Sequence, residues 1–160
     1  MNYQRVHKQA STLYGLKIKL STSQSKNQQL ISNHWKQFNR KLKSNNVILE
    51  SNWKKYGITL KIEGVYYYMI AVPSAVELIG FEQINLPESE CLYFKHLGSM
   101  DLIKFTINII YKKIIPQTNI VLNLNRCVIH FECYDREFRW NHPDSVIHIY
   151  VPIKNPTATH

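Results

Sequence analysis

Alternation of apolar and polar positions opens the chain. Leu13, Tyr14, Leu16, Ile18 and Leu20 surround Gly15, and the first twenty residues read as extended. Ser21 to Gln29 carries no apolar periodicity and reads as a polar loop. Ile31, Trp35, Phe38 and Leu42 then recur at helical spacing, with Lys36, Arg40 and Lys41 on the other side. This predicts an amphipathic helix over about Leu30 to Lys43, stopped by Ser44-Asn45-Asn46. Tyr56 to Ile62 and Val65 to Ala71 are strand-like, and Glu63-Gly64 between them predicts a hairpin.

The same order returns after Pro73. Glu90 to Leu97 reads as a strand ending at Gly98-Ser99. Met100 to Ile114 reads as a helix with Ile103, Ile107, Ile110 and Ile114 on one stripe, widened by Leu102, Phe105 and Ile109 and ended by Pro116. Cys127 to Tyr134 and Val146 to Ile153 are strands on either side of a polar loop from Asp135 to Ser145. The chain thus reads β-α-β-β twice, an α+β domain over residues 1–160 with halves of about 1–75 and 85–155 and a junction near 73–88. Two such units can join their sheets, set both helices on one face and leave the other face curved into a ligand groove.

The length allows one domain with a real core, and a hydrophobic fraction of 44% argues against disorder. No signal-peptide pattern opens the chain and no apolar run reaches the ~20 residues that span a bilayer, so a cytoplasmic protein without a membrane role is expected. Cys91, Cys127 and Cys133 form no CxxC and no closed disulfide set, and are expected to be reduced. The seven histidines are dispersed. Only His130 and His148 are placed to meet on neighbouring strands, so no metal and no cofactor are expected. The net charge of +9 gathers in part on Lys36, Arg40, Lys41, Lys43, Lys54 and Lys55, but no zinc-finger, RNP-like or helix-turn-helix pattern accompanies it, and no dedicated DNA-binding domain is expected.

Ten tyrosines supply flat, amphipathic pocket walls. Among them Glu132 stands out. It interrupts Val128-Ile129-His130-Phe131-Glu132-Cys133-Tyr134, where a carboxylate is costly to bury unless something pairs with it. Its candidate uses are to hold a cation or to move a proton. Strand alternation groups Val128, His130, Glu132 and Tyr134 on one face, Tyr66 with Tyr68, Tyr93 with Cys91 and Lys95, and Tyr150 with His148. Glu132, Tyr68, Tyr93 and Tyr150 are therefore candidate pocket residues, with Tyr66 and the core-stripe Trp35 beside them. His130 is placed to pair with Glu132.

Several segments together resemble the GyrI-like small-molecule-binding domain, also called the AraC-type effector-binding domain, a family of SHS2-type repeats. They are Leu30-Ile31-x-x-x-Trp35-x-x-Phe38, Tyr56-Gly57-Ile58, Val65-Tyr66-Tyr67-Tyr68, Cys91-Leu92-Tyr93-Phe94-Lys95-His96-Leu97-Gly98, Phe131-Glu132-Cys133-Tyr134-Asp135 and Ile147-His148-Ile149-Tyr150-Val151-Pro152-Ile153. The resemblance implies two β-α-β-β repeats about a pseudo-twofold axis, with lipophilic, often cationic aromatic ligands held between them and Glu132 as the acidic anchor. It implies a stand-alone multidrug-type binding protein in transcriptional regulation or drug response. A hydrolase of electrophilic, cyclopropane-containing toxins using Glu132 and Tyr93 is the alternative. A further alternative is a protein-interaction module whose partner is a regulator protein or DNA gyrase, met by the basic helix from His34 to Lys43.

Overall fold

The computed structural model describes residues 1–124 and 127–154. The strands are β1 (Tyr3–Lys8), β2 (Ser11–Lys19), β3 (Lys55–Ile62), β4 (Val65–Pro73), β5 (Glu82–Leu86), β6 (Ser89–Leu97), β7 (Val128–Tyr134) and β8 (Val146–Pro152). Helix α1 (Gln24–Ser44) follows β2, and a second helical stretch, whose α-helical turns are α2 (Ile103–Ile109), follows β6. All eight strands form one antiparallel sheet in the order β1-β6-β8-β7-β3-β4-β2-β5. Exchanging each of the first four strands with the one four places later returns the same order read from the other end. β3 and β7 therefore meet at the middle, and each set's first strand pairs with the second strand of the other set.

The alternation along each strand decides the two faces. Tyr68, Ile70 and Val72 of β4, Leu92 and Phe94 of β6, and Ile147, Ile149 and Val151 of β8 pack with Trp35, Phe38 and Leu42 of α1 and with Met100, Ile103 and Ile110. The intervening residues turn away from both helices, where Leu13, Ile58, Met69, Ala71, Leu86, Cys91 and Phe131 cluster. Only Pro87 and Glu88 separate β5 from β6, yet the two lie toward opposite ends of the strand order. The sheet must curl to bring them together, and the face away from the helices closes over its own side chains. The α+β class is as expected; on the helix side a cleft runs between the two helical stretches, whereas the opposite face is filled by its own side chains.

Local structure departs from expectation where polar residues hide regularity. Helix α1 starts at Gln24, well before Leu30, because Gln and Lys are good helix formers even where no apolar stripe marks them. The first twenty residues make two strands, and β5 is an added edge strand. Within the second helical stretch, α2 gives way to a π-helical turn at Ile110–Ile114 and then a 3-10 turn at Ile115–Gln117 that already contains Pro116. A β-bulge shifts the β3–β7 register between Thr59 and Leu60, pairing Thr59 with His130 but Leu60 with Val128. The extra residue turns Val128 to the face away from the helices, so it does not share the face of His130 and Glu132.

Candidate ligand site

Glu132 sits on β7 at the middle of the sheet, opposite Gly57 of β3, and is 3% exposed. Its face is the helix-covered one. The Tyr134 hydroxyl donates to its Oε1 at 2.9 Å, and the Tyr68 hydroxyl donates to the same oxygen at 3.4 Å. Oε2 is buried with no hydrogen-bond partner among the described residues. Burial penalises the charged form and pushes the carboxyl up to about 7, against the pull of the two phenol hydrogen bonds and, more weakly, of the residue's own backbone N–H. Both phenols are in turn held well above their ordinary pKa, first by burial and then by the Glu132 charge.

Around this carboxyl the walls are aromatic. The Trp35 ring meets Tyr134 edge-on at 4.8 Å, and Trp140 meets Trp35 edge-on at 6.4 Å. Met100 Sδ lies 3.5 Å from the Tyr134 hydroxyl. Outside these groups a cleft of about 200 Å³ runs between α1 and the second helical stretch. Ile31, Met100, Ile103, Ile107 and Trp140 supply its apolar lining. Lys104 Nζ donates to Gln28 Oε1 at 3.1 Å, joining residues from its two helical walls. Met100 and Trp140 are thus shared: they line the cleft and touch the aromatic shell of Glu132.

His130 shares the Glu132 face but does not pair with it. Its Nδ1 lies 3.0 Å from the Tyr111 hydroxyl and its Nε2 3.3 Å from the Thr59 hydroxyl. Burial lowers the imidazole pKa to about 4, so at neutral pH it is uncharged and offers Glu132 no counter-ion. Tyr111 rises from the π-helical turn, and its hydroxyl also senses the Glu132 charge.

Of the residues singled out from sequence, the fold brings Glu132, Tyr68 and Trp35 together. Tyr66 lies on the Tyr68 side of β4 but is 45% exposed, with Lys61 Nζ 5.3 Å from its ring. Tyr93 and Tyr150 do not join them. Tyr150 pairs with Phe131, and Tyr93 pairs with Tyr150, so both rings lie on the face away from Glu132. There Tyr93 bonds His148 Nδ1 at 2.6 Å, and Tyr150 stacks on Phe131. The reason is register: alternation groups residues along one strand but cannot align the faces of two strands. Glu132 and Tyr93, the expected hydrolytic pair, therefore lie on opposite faces of the sheet. His130 and His148 are on opposite faces as well. His148 instead meets Asp135, and with Glu137 their ligand atoms lie within 4.8 Å of one another.

Three contributors were not singled out. Tyr134, two residues from Glu132, was readable from alternation alone. A Cβ on Gly57 would meet the Tyr68 hydroxyl oxygen at 2.1 Å, so this strand glycine makes room for the Tyr68–Glu132 contact, and a glycine inside a strand is itself a signal of close approach. Tyr111 carried no signal, because only the tertiary fold places its helix over β7.

The structure of SAV2435 bound to tetraphenylphosphonium matches with a TM-score of 0.78 and 18% identity, covering 100% of this chain and 98% of that one. A putative bacterial transcription regulation protein from Staphylococcus aureus MU50 matches at a TM-score of 0.70 and 22% identity, over 97% of this chain and 99% of that one. An integron cassette protein of Vibrio cholerae matches at 0.66 and 13% identity, over 95% of each chain. At these identities the likeness shows the shared fold. A search of curated proteins finds no match. Among the described residues, no helix is long and apolar enough to cross a membrane. The family model for Cass2, integron-associated effector binding protein, matches residues 6–153. With nearly the whole chain inside that match and a GyrI-like fold around a buried carboxyl, the protein belongs to the Cass2 family of effector-binding proteins.

Proposed function

We propose that this protein binds lipophilic, cationic aromatic small molecules and holds them between α1 and the second helical stretch, with Glu132 as the charge anchor. The observation that carries the reading is the buried Glu132 carboxyl, which has two phenol donors on one oxygen and no ion pair among the described residues. A carboxylate so placed is unstable as an ion until a positive charge reaches it, so a cation gains what an uncharged molecule of the same shape does not. Trp35, Tyr68 and Tyr134 form the walls of the binding site, and Tyr66 contributes at its rim.

Entry runs through the cleft. Met100 is unbranched and adaptable, and its displacement from the Tyr134 hydroxyl opens the way from the cleft to the carboxyl. Few directional contacts surround the charge, which favours a broad range of flat aromatic cations over one exact ligand. The protein serves as a ligand-responsive component of transcriptional regulation or drug response in the cytoplasm, acting as one domain with halves of about 1–75 and 85–155. Both structural relatives with tetraphenylphosphonium or a regulatory description in their names support this reading.

The test is a tryptophan-fluorescence titration with tetraphenylphosphonium and the similarly shaped but neutral triphenylphosphine oxide. Saturable quenching by the cation with little or none by the oxide is expected. Equal binding of the two removes charge from the account.

A further inference from the structure

The two oxygens of Glu132 are not equivalent, and the difference bears on which cations fit. Oε1 already takes the Tyr134 and Tyr68 hydroxyls. Oε2 takes no donor, although it is equally enclosed. Among the described residues of this shell, Trp35 Nε1 is also buried without a partner, and it makes no hydrogen bond to Oε2. The His130 ring is held between the Tyr111 and Thr59 hydroxyls and makes no hydrogen bond to Glu132. Among the described residues that line the cleft, the one cation is Lys104, which donates to Gln28.

A positive charge lying on ring faces would balance the carboxylate without satisfying this oxygen. A lone pair left bare in a dry site costs free energy even when the net charge is neutral, because directional hydrogen bonding to an ion is the stronger part of the contact. Resting on the cation-binding reading above, we propose that Glu132 Oε2 is a hydrogen-bond acceptor for the ligand, and that the preferred ligands are protonated aromatic amines bearing an N–H rather than fully substituted onium ions. The aromatic walls fix the rings, and the N–H points at Oε2.

Three probes separate hydrogen bonding from charge and bulk: diphenhydramine, its N-methyl quaternary salt, and its N-ethyl tertiary homologue, which keeps the N–H at the bulk of the quaternary salt. They are titrated calorimetrically into the full chain at about pH 8, where the carboxyl is ionised and the amines are still protonated. The two tertiary amines should bind alike, and the quaternary salt roughly tenfold or more weaker, as loss of one charge-assisted hydrogen bond implies. In Glu132→Gln, checked for folding by circular dichroism, the gap between amine and quaternary salt should close.

Equal affinity of amine and quaternary salt, with both lost in Glu132→Gln, overturns this inference and leaves the charge anchor intact. A quaternary salt and an N-ethyl homologue weakened together show a steric limit and also overturn it. Failure of all three probes to bind overturns both readings.

Discussion

Gly57 and Tyr68 face each other so closely that a methyl group on Gly57 would stand 2.1 Å from the tyrosine hydroxyl oxygen and 3.4 Å from Glu132 Oε1. Tyr68 is 2% exposed and has nowhere to move. Gly57→Ala should therefore destabilise the fold by about 1–3 kcal/mol, as overpacking does, and weaken cation binding by turning one donor away from Glu132. Pairing it with Tyr68→Phe removes the nearest clashing atom. The double variant should lose less stability than the two single changes added together, measured by urea unfolding.

Glu132 and His130 oppose each other in the pH dependence of stability. The folded carboxyl titrates near 7, above its unfolded value, so the native state binds the extra proton and stability falls as pH rises through about 4.5 to 7. Full ionisation costs about 3 kcal/mol. The folded imidazole titrates near 4, below its unfolded value, so stability is lost as pH falls from about 6.5 to 4. His34, also lowered by burial, acts in the direction of His130. The raised pKa of His7 acts in the direction of Glu132. Melting temperatures of Glu132→Gln relative to the parent should rise across the carboxyl window. Those of His130→Gln should recover toward the parent as pH falls through the imidazole window.

Binding carries the same signature with a definite sign. A cation requires the ionised carboxyl, so affinity should fall by about tenfold per pH unit below roughly pH 7 and level off above it. Tyr134→Phe removes the shorter of the two hydrogen bonds that favour the ion, and the midpoint should move to higher pH. A midpoint that does not move assigns the titration to another group.

The cleft can be tested apart from the charge. Asn108 lines it from α2 and is only half-buried. Asn108→Trp should fill the space and abolish binding while leaving the melting temperature within a few degrees, as surface changes usually do. Unchanged affinity would place entry elsewhere.

How much of this was legible follows from what each signal is made of. Apolar periodicity located both helices and six of the strands, since it records which face meets the core. It missed the first turns of α1, where Gln24 to Gln29 carry no stripe, the break that makes β1 a strand separate from β2, and the short edge strand β5. Glu132 was visible because a carboxylate amid β-branched and aromatic neighbours breaks a local rule. Tyr93 and Tyr150 were misplaced because the faces of separate strands are aligned only by cross-strand register, which the chain does not display. The bulge at Thr59–Leu60 made the same point on one strand, turning Val128 away from His130. Tyr111 and Met100 reach the site through the packing of a helix whose π-turn no sequence period announces.

In the proposed function the buried Glu132 carboxyl selects ligands by charge. The most direct measurement is the dissociation constant of tetraphenylphosphonium, which has no N–H, for the parent and for Glu132→Gln at about pH 8 by isothermal titration calorimetry. Saturable binding to the parent is expected, with at least roughly tenfold weaker binding to a folded Glu132→Gln. Equal affinities for the two proteins would contradict it.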